Sequence, residues 1–366
     1  MKTTLIKPNH YVGDLIPYVP GKPVEELERE LGIKDAVKIA SNENPLGPSP
    51  LAENAVKEAI HSLNRYPDGD AFYLKEKLSK KLGIKPETLI FGNGSNDVID
   101  IAARTFMKPG DEAIFGEYAF IVYPIVTQAV GATSVISPMP NHVHDLRDMH
   151  SRITDKTKII FIANPNNPTG TMVKRGDFEW FIENLPEDIL VLVDEAYFEY
   201  VDDKDYPNSL EYHNTGKSIL TVRTFSKIYG LAGLRLGYGI AHEDIISNMQ
   251  RVRHPFNSNS LSQVGAIAAL DDNEHIERTK RVNSEGLTYV THELEKMGIR
   301  YAPSYTNFVL IDLEDDPMPI YNQLLREGVI VRPVAGYGLK THLRVTIGTP
   351  DENDKFINGI KKVLGK

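Results

Sequence analysis

From about residue 88 the chain alternates short apolar runs with helical stretches, and this pattern restricts its fold more than any other feature. The runs are 89–91, 112–115, 158–163, 189–193, 218–222 and 236–240. Strands that are apolar along their whole length are buried on both faces. The alternation therefore predicts an α/β fold, a mostly parallel sheet covered by helices on both sides. Ligands of such sheets gather at the carboxyl ends of the strands. The polar residues that follow each run should then compose one site.

The run 218–222 leads into Thr224, Ser226 and Lys227, then Gly230, Gly233, Gly237 and Gly239, with Arg235 among the glycines. A lysine leaving a strand end into a turn of small residues is placed to lose water, which lowers its pKa and makes it nucleophilic. Two hydroxyls before it and an arginine after it suit a phosphate dianion. A lysine beside a phosphate clamp suggests pyridoxal phosphate held as a Schiff base. After 189–193 stand Asp194-Glu195-Ala196-Tyr197. An acid closing an apolar strand is costly unless its charge is paired. A pyridinium nitrogen is one such partner for Asp194, a metal or a structural contact another. Gly92-Asn93-Gly94-Ser95-Asn96-Asp97 follows 89–91 and precedes the helix 98–107, where free N–H groups and the helix dipole attract anions. Asp97 stands where a dinucleotide fingerprint needs a third glycine, which argues against a nicotinamide enzyme. Asn164-Pro165-Asn166-Asn167-Pro168-Thr169-Gly170, after 158–163, reads as a tight loop able to present an amide.

Outside this core, residues 1–48 are rich in Pro and Gly and read as an arm packing on a small domain. Ser49-Pro50 starts a helix, cap then proline. A large domain is expected over 49–270. Past 271 a long helix runs towards Gly298, and short strands at 307–311, 329–332 and 343–347 with two helices make a smaller α+β domain over 271–366. The net charge of -9 argues against nucleic acid as a partner, and the absence of cysteine excludes disulfides and thiolate metal sites. No apolar run approaches a membrane span and no signal peptide is evident, so a cytoplasmic protein without a membrane partner is expected.

Asn-Pro-Asn-Asn-Pro-Thr-Gly, Asp-Glu-Ala-Tyr and Thr-Phe-Ser-Lys with its distant Arg235, in this order, resemble the fold-type I, aspartate-aminotransferase-like enzymes over nearly the whole chain. The stretches YVPG from Tyr18, SNENP from Ser41, RYPD from Arg65 and LRVTIG from Leu343 are similar to the histidinol-phosphate aminotransferase branch. The resemblance implies pyridoxal phosphate on Lys227, Asp194 at its ring nitrogen, and Tyr197 and Asn167 at its phenolic oxygen. Ser95, Asn96, Thr224, Ser226 and Arg235 would hold the phosphate. Many relatives have a Pro-Thr-Tyr-type run where this chain has Gly116-Glu117-Tyr118, and Tyr118 is expected to stack on the ring. Tyr66 would reach the phosphate of the neighbouring subunit, which implies a homodimer. Arg344, Arg332, Tyr18 and Asn42 would bind substrate, although Arg332 alone could be a structural ion pair. No metal is expected. The activity implied is transfer of the amino group of histidinol phosphate to 2-oxoglutarate. An aromatic amino-acid aminotransferase and a decarboxylase of a phosphorylated amino acid are the alternatives on the same framework. A ligand-sensing regulator would need a basic domain that this chain lacks.

Overall fold

The computed structural model describes residues 6–13, 15, 17 and 21–365. In chain order its strands are β1 Val37–Lys38, β2 Leu89–Gly92, β3 Glu112–Gly116, β4 Thr133–Ser137, β5 Thr157–Ala163, β6 Leu190–Asp194, β7 Ile219–Thr224 and β8 Gly237–Ile240. There follow β9 Arg300–Tyr301, β10 Phe308–Asp312, β11 Val329–Ile330, β12 Arg332–Pro333 and β13 His342–Thr346. Seven of them form one sheet in the order β2-β8-β7-β6-β5-β3-β4. Only β8 runs antiparallel to its neighbours, β2 and β7. The sheet is the mostly parallel one that the run pattern predicts.

Alternation along each strand divides the core between the two faces of this sheet. Ile159 and Phe161 of β5, with Leu190 and Leu192 of β6, pack on one side with the helix Ser95–Phe106. Ile160, Ile162, Val191 and Val193 pack on the other with Phe178 and Phe181. All eight of these aliphatic and aromatic side chains from β5 and β6 are buried. Each contributes on the order of 1.5–3 kcal/mol on leaving water. Strand β4 has no counterpart among the apolar runs. It is an edge strand whose Thr133 and Ile136 are exposed, so burial does not demand apolar residues there.

A second sheet, β12-β13-β10-β9, is covered by the helices Asn273–Lys296 and Pro350–Leu364. The expected strand over 329–332 is two strands. Val329–Ile330 pairs in parallel with β1, whereas Arg332–Pro333 pairs antiparallel with β13. Val329, Ile330 and Val331 are all buried, so the apolar pattern carries no mark of the change of partner. β1 and β11 form a two-stranded sheet of their own, and the Thr346 N–H of β13 donates to the Ile39 carbonyl at 2.8 Å, which ties the segment before residue 48 to the second sheet. Leu27 packs beside Ile330 and Ala40 there. Ser41 to Asn44 then cross to the carboxyl ends of the large sheet, where Asn44 Nδ2 donates to the Ile228 carbonyl at 2.8 Å.

Candidate active site

The carboxyl ends of β5, β6 and β7 and the first turn after β2 surround a cavity of about 460 Å³. Beyond β7, Phe225 and Ile228 are fully buried and anchor the turn on either side of Lys227. The lysine Nζ lies 3.2 Å from the Asn42 carbonyl oxygen and 3.4 Å from that of Ser41. Burial, then the Arg344 guanidinium, pushes its pKa down to about 8. A neutral amine is thus accessible near physiological pH, as the strand-end position predicts.

Asp194 closes β6 and is buried. Burial pushes its carboxyl up to about 6 against the hydrogen bonds it accepts. Tyr123 Oη donates to Oδ2 at 2.9 Å, and the Ala196 N–H to Oδ1 at 3.2 Å. Tyr123 is itself held by stacking on Phe161, 4.7 Å between centroids and 9° between planes. Reading the sequence misses Tyr123, because a tyrosine in an amphipathic helix passes for core. The neighbouring acid faces elsewhere. Glu195 accepts from Arg223 Nη2 at 2.7 Å and from the Ser209 N–H at 2.9 Å, a buried pair that keeps it out of the cavity.

The phosphate-type residues form a cradle. The helix Ser95–Phe106 begins directly after Gly94, whose φ is +83°. A Cβ on Gly94 would fall 2.4 Å from Arg235 Nη2, and one on Gly237 would fall 2.3 Å from the Ser95 nitrogen. Only glycine lets these groups converge. Arg235 Nη1 donates to Ser226 Oγ at 3.4 Å, and the Ser226 N–H to Thr224 Oγ1 at 3.1 Å. Ser95, Asn96, Thr224, Ser226 and Arg235 all line the cavity. Free N–H groups, hydroxyls, a guanidinium and a helix N-terminus fit a phosphate, and the lysine and the buried acid lie on the same cavity. The residues present fit pyridoxal phosphate.

Tyr197 and Asn167 also line the cavity, and residues of distant segments hold them from behind. Tyr197 accepts from Asn42 Nδ2 at 2.9 Å, and burial pushes its phenol up to about 12. Asn42, held at φ +56°, is fixed through Thr346, whose Oγ1 donates to Asn42 Oδ1 at 3.0 Å. Arg344 of β13 is buried, donating to Asn167 Oδ1 at 2.5 Å and to the Ala40 carbonyl at 2.7 Å. Asn167 lies in the loop after β5, both of whose Asn-Pro peptides are cis.

Of the expected residues, Asn42 and Arg344 do not line the cavity themselves but hold Tyr197 and Asn167, which do, and four more stand apart from the lining or lie beyond description. Tyr118 does not line the cavity; its ring lies 5.7 Å from that of His142 and beside Gly338. The aromatic residue that lines the cavity is Phe120, two positions on. The turn between β3 and the helix Val122–Ala129 decides which ring faces inward, and nothing in the run of residue types marks that. Tyr66 is 83% exposed and stacks on Phe256 at 4.8 Å. Arg332 lies directly across from Arg344 in the β12–β13 register but does not line the cavity. Tyr18 lies outside the described residues. Among the described residues no cluster of His, Asp or Glu could hold a metal ion, and no helix is long and apolar enough to cross a membrane.

The model of the family described as aminotransferase class I and II matches residues 34–360. The chain is 48% identical over 349 residues to histidinol-phosphate aminotransferase of Moorella thermoacetica, covering 95% of this chain and 90% of that protein. It is 48% identical over 355 residues to histidinol-phosphate aminotransferase 2 of Pseudomonas aeruginosa, covering 96% of each. Among solved structures, histidinol-phosphate aminotransferase from Sinorhizobium meliloti in complex with pyridoxal-5'-phosphate superposes with a TM-score of 0.91, 25% identity and 99% coverage of both chains.

Proposed function

The chain belongs to the class I and II aminotransferase family, and we propose that it moves the amino group of histidinol phosphate to 2-oxoglutarate, giving imidazole acetol phosphate and glutamate, with pyridoxal phosphate as cofactor. The observation that carries this reading is the convergence of a desolvated Lys227, a buried Asp194 and a phosphate cradle on one cavity. The names of relatives 48% identical over nearly the whole chain support the donor.

When bound, pyridoxal phosphate supplies a sink for the electrons released as the amine-bearing carbon loses its proton. Lys227 is the residue to which the cofactor is linked at rest and the base that takes and returns that proton at Nζ. Its pKa, lowered to about 8, makes a neutral fraction of the amine available near neutral pH. Asp194 holds a proton on the ring nitrogen, with Tyr123 fixing the carboxylate. Tyr197 and Asn167 direct hydrogen bonds to the ring's phenolic oxygen. Arg235, Ser226, Thr224, Ser95 and Asn96 orient the phosphate. Phe120, which lines the cavity, rather than Tyr118 would supply the aromatic face beside the ring.

Arg344, with Arg332, Tyr18 and Asn42, binds substrate: the donor phosphate in one half-reaction and the carboxylates of the oxo-acid in the other. Arg332 and Arg344 sit on facing register positions, so both cations are presented to one region of the sheet. The protein acts as a cytoplasmic homodimer in which the partner subunit's Tyr66 completes each site. The exposure of Tyr66 supports this, and Phe72, Tyr73, Leu63 and Ile60 are exposed in the same stretch of chain. The division of labour follows 49–270 for the cofactor and 271–366 for the substrate cations, with 1–48 bridging the two.

The test is to compare kcat/KM for histidinol phosphate, histidinol, histidine and phenylalanine with 2-oxoglutarate, following glutamate. Histidinol phosphate should exceed histidinol by about 100-fold, because removing the phosphate leaves desolvated cations unpaired at about 2–5 kcal/mol. Arg344→Ala should erase much of that ratio. Higher kcat/KM for phenylalanine would overturn the donor assignment.

A further inference from the structure

Glu43 lines the same cavity, and the reading above gives it no part. Only two carboxylates are in that lining, Asp194 and Glu43. Asp194 is taken up by Tyr123 and the Ala196 N–H. The ion pair of Glu43 within 4 Å, among the described residues, is with Lys38 Nζ at 3.8 Å, too far for a hydrogen bond, and its charge also acts on Lys227, whose protonated form it favours. The Glu43 side chain is 52% exposed, so the pair with Lys38 is weak and leaves the carboxylate oxygens able to accept.

The backbone that carries Glu43 is held firmly. Asn307 Nδ2 donates to the carbonyls of Asn42 at 3.1 Å and Glu43 at 3.2 Å. Residue 42 is the one whose carbonyl touches Lys227 Nζ, so Glu43 stands one residue from the reacting amine. A carboxylate carried on that held backbone repels the carboxylates of an oxo-acid and the phosphate of a donor. It attracts an N–H donor or a cation. Histidinol phosphate brings one such group besides its reacting amine, the imidazole ring.

We propose that Glu43 is the residue that selects the donor's ring, its carboxylate accepting a hydrogen bond from the imidazole N–H. This rests on the assignment of histidinol phosphate as donor. A ring without an N–H leaves the carboxylate facing an apolar edge, so the same residue discriminates against aromatic donors.

The experiment compares wild-type holoenzyme with Glu43→Gln and Glu43→Ala, using histidinol phosphate and its phenyl analogue, phenylalaninol phosphate. Glu43→Gln should raise KM for histidinol phosphate about 10-fold, the scale of one hydrogen bond to a charged group, with kcat within about twofold. The wild-type preference for imidazole over phenyl should shrink by a similar factor in both variants, and KM for 2-oxoglutarate should stay level or fall. An unchanged KM and unchanged ring preference would overturn the role of Glu43 alone. A lowered kcat at constant KM would overturn it too, since Glu43 would then serve the proton transfer. Wild-type enzyme that does not use histidinol phosphate would overturn the donor assignment and this inference together.

Discussion

Tyr123 Oη donates to Asp194 Oδ2 at 2.9 Å, so the acid that ends β6 is oriented by a phenol from the helix after β3. Tyr123→Phe keeps the stack on Phe161 and removes only the hydroxyl. Cofactor content should be unchanged while kcat falls about 10-fold. An unchanged kcat would show that the phenol does not hold the carboxylate in a working position.

The raised pKa of Asp194 has a consequence for the cofactor-free protein. Its folded-state pKa of about 6 lies above that of the unfolded chain, so the folded state binds this proton more tightly. That contribution to stability is fully present below pH 4 and is lost as pH rises through 6, about 3 kcal/mol in all. Asp194→Asn should therefore be more stable than wild type at pH 7 without cofactor, with a flatter dependence between pH 4 and 6. Its turnover should fall by orders of magnitude. Denaturant melts across that pH range check the first claim, and equal slopes in both proteins would contradict it.

Lys227 should capture added pyridoxal phosphate at a rate that climbs with pH and is half-maximal near pH 8, where burial and Arg344 place its pKa. Lys227→Ala should lose turnover and the borohydride-reducible link to the cofactor. Peptide mapping of the reduced wild type should find the label on Lys227. Label on another lysine would remove the assignment.

Phe120 and Tyr118 give opposite expectations. Phe120→Ala removes an aromatic face from the cavity and should weaken cofactor retention about 10-fold, the scale of one ring stack. Tyr118→Phe keeps the packing beside His142 and Gly338 and should leave retention unchanged. Cofactor dissociation followed by absorbance separates the two, and the reverse ranking would return the stacking role to Tyr118.

The sharing of sites is tested by mixing chains. Hybrid dimers of Lys227→Ala with Tyr66→Ala contain one site in which both residues are intact. Activity well above either parent after subunit exchange is expected. No recovery, with exchange shown by mass spectrometry, would exclude the partner subunit's Tyr66 from the site.

Reading the chain alone was enough to find most strands of the large sheet, because a run buried on both faces must be apolar and its ends must be polar. It also placed Lys227, Asp194, Thr224, Ser226 and Ser95 where the structure gathers them on one cavity, since each sits within three or so residues of a strand end, and local order in the chain becomes local order in space. The edge strand β4 escaped because exposure frees its residues from the apolar rule, and the two-residue strands β1 and β9 because they are too short to show a pattern. Three further relationships escaped for a different reason. Arg344 meets Asn167 across 177 residues, Asn42 meets Tyr197 across 155, and Tyr123 meets Asp194 across 71. No local periodicity encodes such pairs. They arise when packing of two separate sheets and a crossing arm brings side chains together, and the cost of burying a polar group without a partner then selects which ones touch. The exchange of Tyr118 for Phe120 at the cavity wall is the same lesson at short range. Residue type made either ring a candidate, and only the path of the turn after β3 decided which one faces inward.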